Sequence, residues 1–274
     1  EPAGRFMNAR RLYVEELNAR GGLLGHKVEL KIYDDKSEKR PAIELYEKLI
    51  TEDKVDLVLG PYSSYLTDSV ANVMERYRQP FVAHASDPAM YQRGRKYIFS
   101  QPTPFSDRAK GLLHVARKIG VKRVAMLFRG AKGAKYVLVR AKEWAKKLGL
   151  NVVLAERFKR KQTGFRALLE RTKASGAEAI IAFANYYESI PMIRQLRELN
   201  IDVKLFSATL APGSPKFVEE LGPAAEFVVG FSMWEPRPAL GHPGVKEFIE
   251  HYEKRFGEKP NYRAATSHAE MQIT

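Results

Sequence analysis

The chain has 274 residues, 46 Lys and Arg against 32 Asp and Glu, and no cysteine. An apolar fraction of 45% with 11% aromatics is enough for packed cores and excludes wholesale disorder. The missing cysteine excludes a disulfide framework, a thiolate metal site and a cysteine nucleophile, and no apolar run is long enough for a bilayer-spanning helix.

Phe6, Ala9, Leu12, Tyr13 and Leu17 recur at helical spacing, and Gly21-Gly22 stops that helix. Residues 28–33 alternate apolar and polar at period two, which predicts a strand ending at Asp34-Asp35. A helix over about 40–51 follows, then an apolar strand at 55–59. Gly60-Pro61-Tyr62-Ser63-Ser64 turns into another helix, and 80–83 reads as the next strand. After the proline-rich stretch 101–104 the rhythm restarts. It gives a helix at 107–119, a strand at 121–128, a helix to 148, a strand at 151–155 and a helix at 164–174. A strand at 179–183, a helix around 190–199, a strand at 203–206, a short helix at 214–221 and a strand at 227–231 complete the pattern. A further helix starts at Asn261.

Strands separated by helices of about 10–15 residues predict βαβ units, hence parallel sheets with helices on both faces. Two such blocks predict an α/β chain of two doubly wound lobes, 1–103 with 236–274 and 104–235. The crossings fall at 101–104 and near 234–238, where Pro236 and Pro238 interrupt the pattern.

The excess of positive charge belongs to one segment. Between Asp107 and Lys173 there are 20 Lys and Arg against four acids, whereas the rest of the chain has 26 against 28. That segment has no zinc-finger spacing and no RNA-binding strand motif, and its aromatics are scattered, so no nucleic-acid partner is expected. Solvated helix faces are the expected reading of the charge, and a basic surface that steers anionic ligands or meets an acidic membrane or permease face is the alternative.

Ligands of open parallel sheets bind at the carboxyl ends of strands, which selects the loops 60–64, 83–87, 129–135, 184–188 and 207–213. The first offers Ser63 and Ser64 at a helix start, where hydroxyls, unpaired N–H groups and the positive helix end suit a carboxylate. The same residues also suit a plain serine cap. His84-Ala85-Ser86-Asp87-Pro88 is a second polar loop, whose Asp87-Pro88 reads equally as a cap. Lys132 lies in the third, and Tyr186 and Tyr187 in the fourth, where tyrosines pack over an apolar ligand or simply pack the loop. No dinucleotide or phosphate-loop motif, no nucleophile elbow and no HExxH is present. No enzyme, metal or cofactor is therefore expected.

The segment order resembles the type 1 periplasmic solute-binding proteins that serve branched-chain amino acid and amide uptake by ABC transporters. The resemblance rests on the run from Val14 to Leu30 (VEELNARGGLLGHKVEL), on Tyr33-Asp34-Asp35-Lys36-Ser37 and on Val58-Leu59-Gly60-Pro61-Tyr62-Ser63-Ser64. Phe165, Gly222-Pro223-Ala224-Ala225-Glu226 and Arg255-Phe256-Gly257-Glu258-Lys259-Pro260 add to it. It covers nearly the whole chain. It implies two α/β lobes joined by hinge strands that close on a small ligand, an amino acid, amide or small organic acid. It also implies delivery to an ABC permease by a monomer that is periplasmic, or extracellular and lipid-anchored. The same fold also serves as the sensor of regulators and receptors.

Carried over residue by residue, Ser64 takes the position that binds the ligand carboxylate by hydroxyl and N–H. Ser86 takes the hydroxyl position next to carboxylate and ammonium, and His84 the one offering a backbone carbonyl. Tyr62, Ser63 and Ala85 complete those two loops, and Tyr186 or Tyr187 is the aromatic of the second lobe. Three departures stand out. Lys132 replaces a frequent tyrosine, where it either meets a second anionic group or is solvated. Residues 207–211 carry no acid for a ligand ammonium. The family's first strand and glycine-rich loop do not precede Glu1, and the chain is expected to be short at both ends.

Overall fold

The computed structural model describes residues 2–91, 93–130, 134–209 and 211–274. The chain divides into two units, Glu1–Pro104 with Met233–Thr274, and Phe105–Ser232.

The first unit begins with α1 (Pro2–Ala19), which buries Phe6, Ala9 and Leu12. It stops where glycine is required, because a Cβ on Gly22 would lie 1.9 Å from the His26 carbonyl oxygen. Next come α2 (Lys39–Thr51), β1 (Val58–Leu59), α3 (Ser64–Tyr77), β2 (Phe81–Ala83) and β3 (Ile98–Ser100). The three strands form a parallel sheet in the order β1-β2-β3.

Residues 28–33 differ from the expected strand. They join no ladder among the described residues. Val28 instead has both backbone groups taken by the Asn18 side chain, whose Nδ2 donates to the Val28 carbonyl at 2.9 Å and whose Oδ1 accepts from its N–H at 2.8 Å. Alternation marks which face is buried, but a strand also needs a neighbour to bond. Conversely β3, three residues long, gives too little pattern to be read from sequence.

The second unit contains α4 (Ala109–Lys118), β4 (Arg123–Arg129), α5 (Ala134–Lys147), β5 (Asn151–Phe158) and α6 (Arg166–Ala174). It continues with β6 (Ala179–Phe183), α7 (Tyr186–Glu198), β7 (Leu205–Ser207), α8 (Pro215–Leu221) and β8 (Val228–Val229). Its all-parallel sheet has the order β5-β4-β6-β7-β8. Successive side chains of a strand point to opposite faces, and here both faces are dry. Ala125, Leu127, Ile180, Ala182 and Phe206 enter one apolar cluster with α6, α7 and α8. Val124, Met126, Ala179, Ile181 and Leu205 enter another with α4 and α5. That two-sided burial explains the unbroken apolar runs of β4 and β6.

The chain then returns to the first unit through α9 (Pro236–Ala239), where a crossing was expected, and through α10 (Val245–Phe256) and α11 (Tyr262–Ile273). The side chain of Asn261 caps α11 by accepting from the Arg263 and Ala264 N–H groups. Phe248, Tyr252, Ala264 and Ala265 bury against Ala9 and Leu12 of α1.

Candidate functional site

The carboxyl ends of β1 and β2 set two loops side by side. Gly60 N–H donates to the Val82 carbonyl at 2.8 Å. A Cβ on Gly60 would come within 2.9 Å of the Ala83 Cα, so glycine is what allows the backbones to approach this closely. The chain then enters α3 through Ser63, which sits at φ 103° and ψ 142°, a conformation that costs an L-residue on the order of 1–3 kcal/mol and is typically retained where function needs it. Ser63 is held there from two sides. Its carbonyl accepts the Thr67 N–H at 3.1 Å and the Thr67 hydroxyl at 2.8 Å, and its Oγ accepts a long bond from Leu66.

The result is a helix start with unspent donors. Among the described residues the Ser64 and Tyr65 N–H groups meet no acceptor. Ser64 Oγ accepts from the Asp87 N–H at 3.3 Å, which joins the two loops and leaves the hydroxyl proton to donate elsewhere. Asp87 turns its carboxylate to the Ala89 N–H at 3.0 Å and starts a short 3₁₀ turn with Pro88. The Ala85 carbonyl accepts the hydroxyls of Tyr91 at 2.6 Å and Ser100 at 3.1 Å. Burial first, against the Ser100 bond, pushes the Tyr91 hydroxyl above the usual tyrosine range, so it remains a donor.

Aromatic rings stand beside these donors. The His84 ring stacks on Tyr62 with centroids 5.5 Å apart, and Phe6 meets both rings edge-on at 5.0 and 5.8 Å. Phe6 and His84 are buried and Tyr62 is exposed, its hydroxyl accepting from Arg263 Nε at 3.3 Å. Beneath the first loop lies a buried ion pair. Arg10 Nη2 reaches Glu270 Oε2 at 2.8 Å and the Gly60 carbonyl at 3.2 Å, with its guanidinium over Phe6. Desolvation raises the Glu270 pKa and Arg10 draws it partly back. Arg10 thus ties α1 and α11 to the residue that opens the loop.

A family model described as periplasmic binding protein matches residues 3–273. The chain belongs to the periplasmic binding protein family. An amino acid binding protein of Pseudomonas aeruginosa is 27% identical over 218 residues, covering 75% of this chain and 58% of the relative. A Brucella suis protein called Leu/Ile/Val-binding protein homolog 7 is 24% identical, over 90% of this chain and 65% of its own length. The chain thus spans less than two thirds of these curated relatives. The branched-chain amino acid transporter substrate-binding protein of Streptococcus pneumoniae, solved with isoleucine, superposes with a TM-score of 0.79. It is 24% identical, over 99% of this chain and 78% of that one. These likenesses establish the two-lobed α/β fold of type 1 periplasmic binding proteins, and the family's members are binding proteins. No helix among the described residues is long and apolar enough to cross a membrane.

Within this periplasmic binding protein, Tyr62, Ser63, Ser64, His84, Ala85 and Ser86 all fall on the two neighbouring loops of the first unit. Lys132 lies outside the described residues. Tyr186 and Tyr187 open α7, which starts four residues earlier than expected. A reciprocal cap explains that, the Glu188 carboxylate accepting from Asn185 N–H at 3.1 Å and also from Lys161 N–H at 2.9 Å. The two tyrosines have different surroundings. The Tyr186 hydroxyl donates to Glu220 Oε2 at 2.7 Å and to the Lys216 carbonyl, and the Glu220 bond, with burial, pushes its pKa up to about 12. Tyr187 is 80% exposed, its ring edge-on to Tyr186. Sequence reading missed Phe6, Arg10 and Glu270. Phe6 and Arg10 share an i, i+4 relation on the apolar stripe of α1, which was the one signal available.

Proposed function

We propose that this chain is the ligand-capturing part of a solute-binding protein that takes up a small carboxylate or amide ligand, with amino acids and their derivatives the first class to test. The observation that carries this reading is the start of α3. Two N–H groups, a serine hydroxyl with its proton uncommitted and the positive end of a fourteen-residue helix converge there. The bonds from Thr67 and Leu66 to Ser63 hold the helix start in place. The Phe6, Tyr62 and His84 rings would pack against the apolar body of such a ligand, and Ser86 would add a second hydroxyl. On the same reading Tyr187, rather than the internally bonded Tyr186, is the aromatic that the second unit offers. Capture without chemical change, delivery to an ABC permease, an extracytoplasmic location and a monomeric state follow from the reading as further expectations. The likeness to amino acid binding proteins supports the class of ligand.

Calorimetry with free amino acids, their amides, dicarboxylates and aromatic acids tests it. A ligand should lose about tenfold or more in affinity in Ser64→Ala, the effect of removing a hydrogen bond to a charged group. Ser64→Thr should keep most of the affinity. Unchanged affinity in Ser64→Ala for every ligand that binds would overturn the site.

A further inference from the structure

Outside the loops, the strongest unexplained feature is the outer face of α4 and α5. Lys110, Arg117 and Lys118 lie on one exposed stripe of α4, at i, i+7 and i+8, and α4 contains no acid. Lys142 and Lys146 lie one turn apart on the exposed side of α5, and Lys147 borders them. The acids nearest this face are spent. Arg140 donates to Asp107 Oδ1 at 2.9 Å and to Glu143 Oε2 at 2.6 Å, and the Arg140 bond, against some burial, keeps the Asp107 carboxyl below its usual range. None of the six cations named has a carboxylate partner among the described residues.

The two helices form one continuous face. Trp144 of α5 carries the Lys110 ammonium of α4 over its ring at 4.5 Å and that of Lys147 at 4.9 Å. Val115 of α4 and Val139 of α5 are 41% and 55% exposed, and Ile119, just after α4, is 45% exposed. Arg117, Lys118, Lys146 and Lys147 sit in the last turns of their helices, where positive charge complements the helix dipole, whereas Lys110 and Lys142 lie outside those turns and gain nothing from it. We propose that the α4–α5 face is a docking surface for an anionic phospholipid bilayer. Long lysine and arginine side chains without carboxylate partners, on helices that also expose Val115 and Val139, suit headgroups that need no fixed register. A nucleic acid fits less well, because the Trp144 ring is covered by ammonium groups instead of open for base stacking. An acidic protein partner fits less well too, because the charge is spread over two helices instead of concentrated at one anchor.

Sedimentation of the intact chain with vesicles of equal parts phosphatidylglycerol and phosphatidylcholine, against pure phosphatidylcholine, tests this. The anionic vesicles should bind and release the protein as salt rises. The pair Lys118→Glu with Lys146→Glu should weaken binding on the order of thirtyfold or more, from about fivefold per cation lost. The pair Lys254→Glu with Lys259→Glu, the same charge change on exposed lysines of the first unit, should leave most of it. In a Trp234→Phe background the remaining tryptophan, Trp144, should shift its emission when anionic vesicles are added. Equal binding to both vesicles, equal loss in the two charge-reversed pairs, or an unmoved Trp144 emission would each overturn the proposal. So would capture by polyglutamate without vesicle binding, which would make the face an acidic-protein site.

Discussion

The two units solve the same architectural problem with different materials. The second builds a five-stranded sheet, including β4 of seven residues and β5 of eight, whose central strands are apolar on both faces. The first has three strands of two or three residues. Much of its order comes from polar devices instead: the Asn18 clamp on Val28, the Arg10–Glu270 pair and the hydroxyls gathered on the Ala85 carbonyl. The loops proposed to hold the ligand sit in the unit with the smaller sheet. A dry core tolerates variation as long as volume is kept, whereas a polar network fails when one member is removed.

Glu270→Ala should therefore show the largest effect. It leaves the Arg10 guanidinium buried without its counter-charge and should destabilise the first unit by about 3–5 kcal/mol. Hydrogen exchange followed unit by unit should show protection lost around α1, α11 and the 60–64 loop but kept in β4 and β6. Replacing both partners, Arg10→Met with Glu270→Leu, should recover much of that loss. If the double variant is as unstable as the single one, the polar account of the first unit fails. In the second unit Ile181→Val should cost about 0.5–1.5 kcal/mol, the amount expected for one buried methylene. Denaturant unfolding should record that loss without a change in ligand affinity.

The smallest expected effect is a pH dependence confined to the first unit. Burial lowers the pKa of His268 below its ordinary 6.5, and Arg20 adds to this while Glu16 opposes it. The imidazole is in ring contact with Phe248 at 4.4 Å and Tyr13 at 5.3 Å. The unfolded chain binds this proton more readily than the folded one. Stability is thus unaffected above about pH 6.5 and falls as pH drops from there toward the folded-state value. His268→Phe should remove that slope, and melting curves across the window would show it. An identical slope in the variant would place the acid sensitivity elsewhere.

The second unit was largely legible because its signals are local. Residues 179–183 form an unbroken apolar run, and a strand buried on both faces needs no further context. The first unit was legible in outline only. Residues 28–33 carry a strand's alternation, yet what they bond to is a side chain that no periodicity announces. Ser63 and Ser64 could be picked out as residue types at a helix start, but the positive φ of Ser63 and the bond from Asp87 to Ser64 exist only once two loops are adjacent. Arg10 and Glu270 look in sequence like two ordinary charges on two helices. Nothing short-range says that they meet, or that the Gly60 carbonyl shares the guanidinium.

The Arg10–Glu270 contact also has a timetable. Its partners are separated by 260 residues, and the whole of Phe105–Ser232 is threaded between them. At usual rates of synthesis Glu270 emerges on the order of ten seconds to a minute after Arg10. The second unit, whose strands and helices are contiguous, can complete itself in that interval, while the arginine that will brace the 60–64 loop waits in water. The brace on the 60–64 loop therefore forms only after the second unit has been synthesised, and a stall before residue 270 would leave that loop without it.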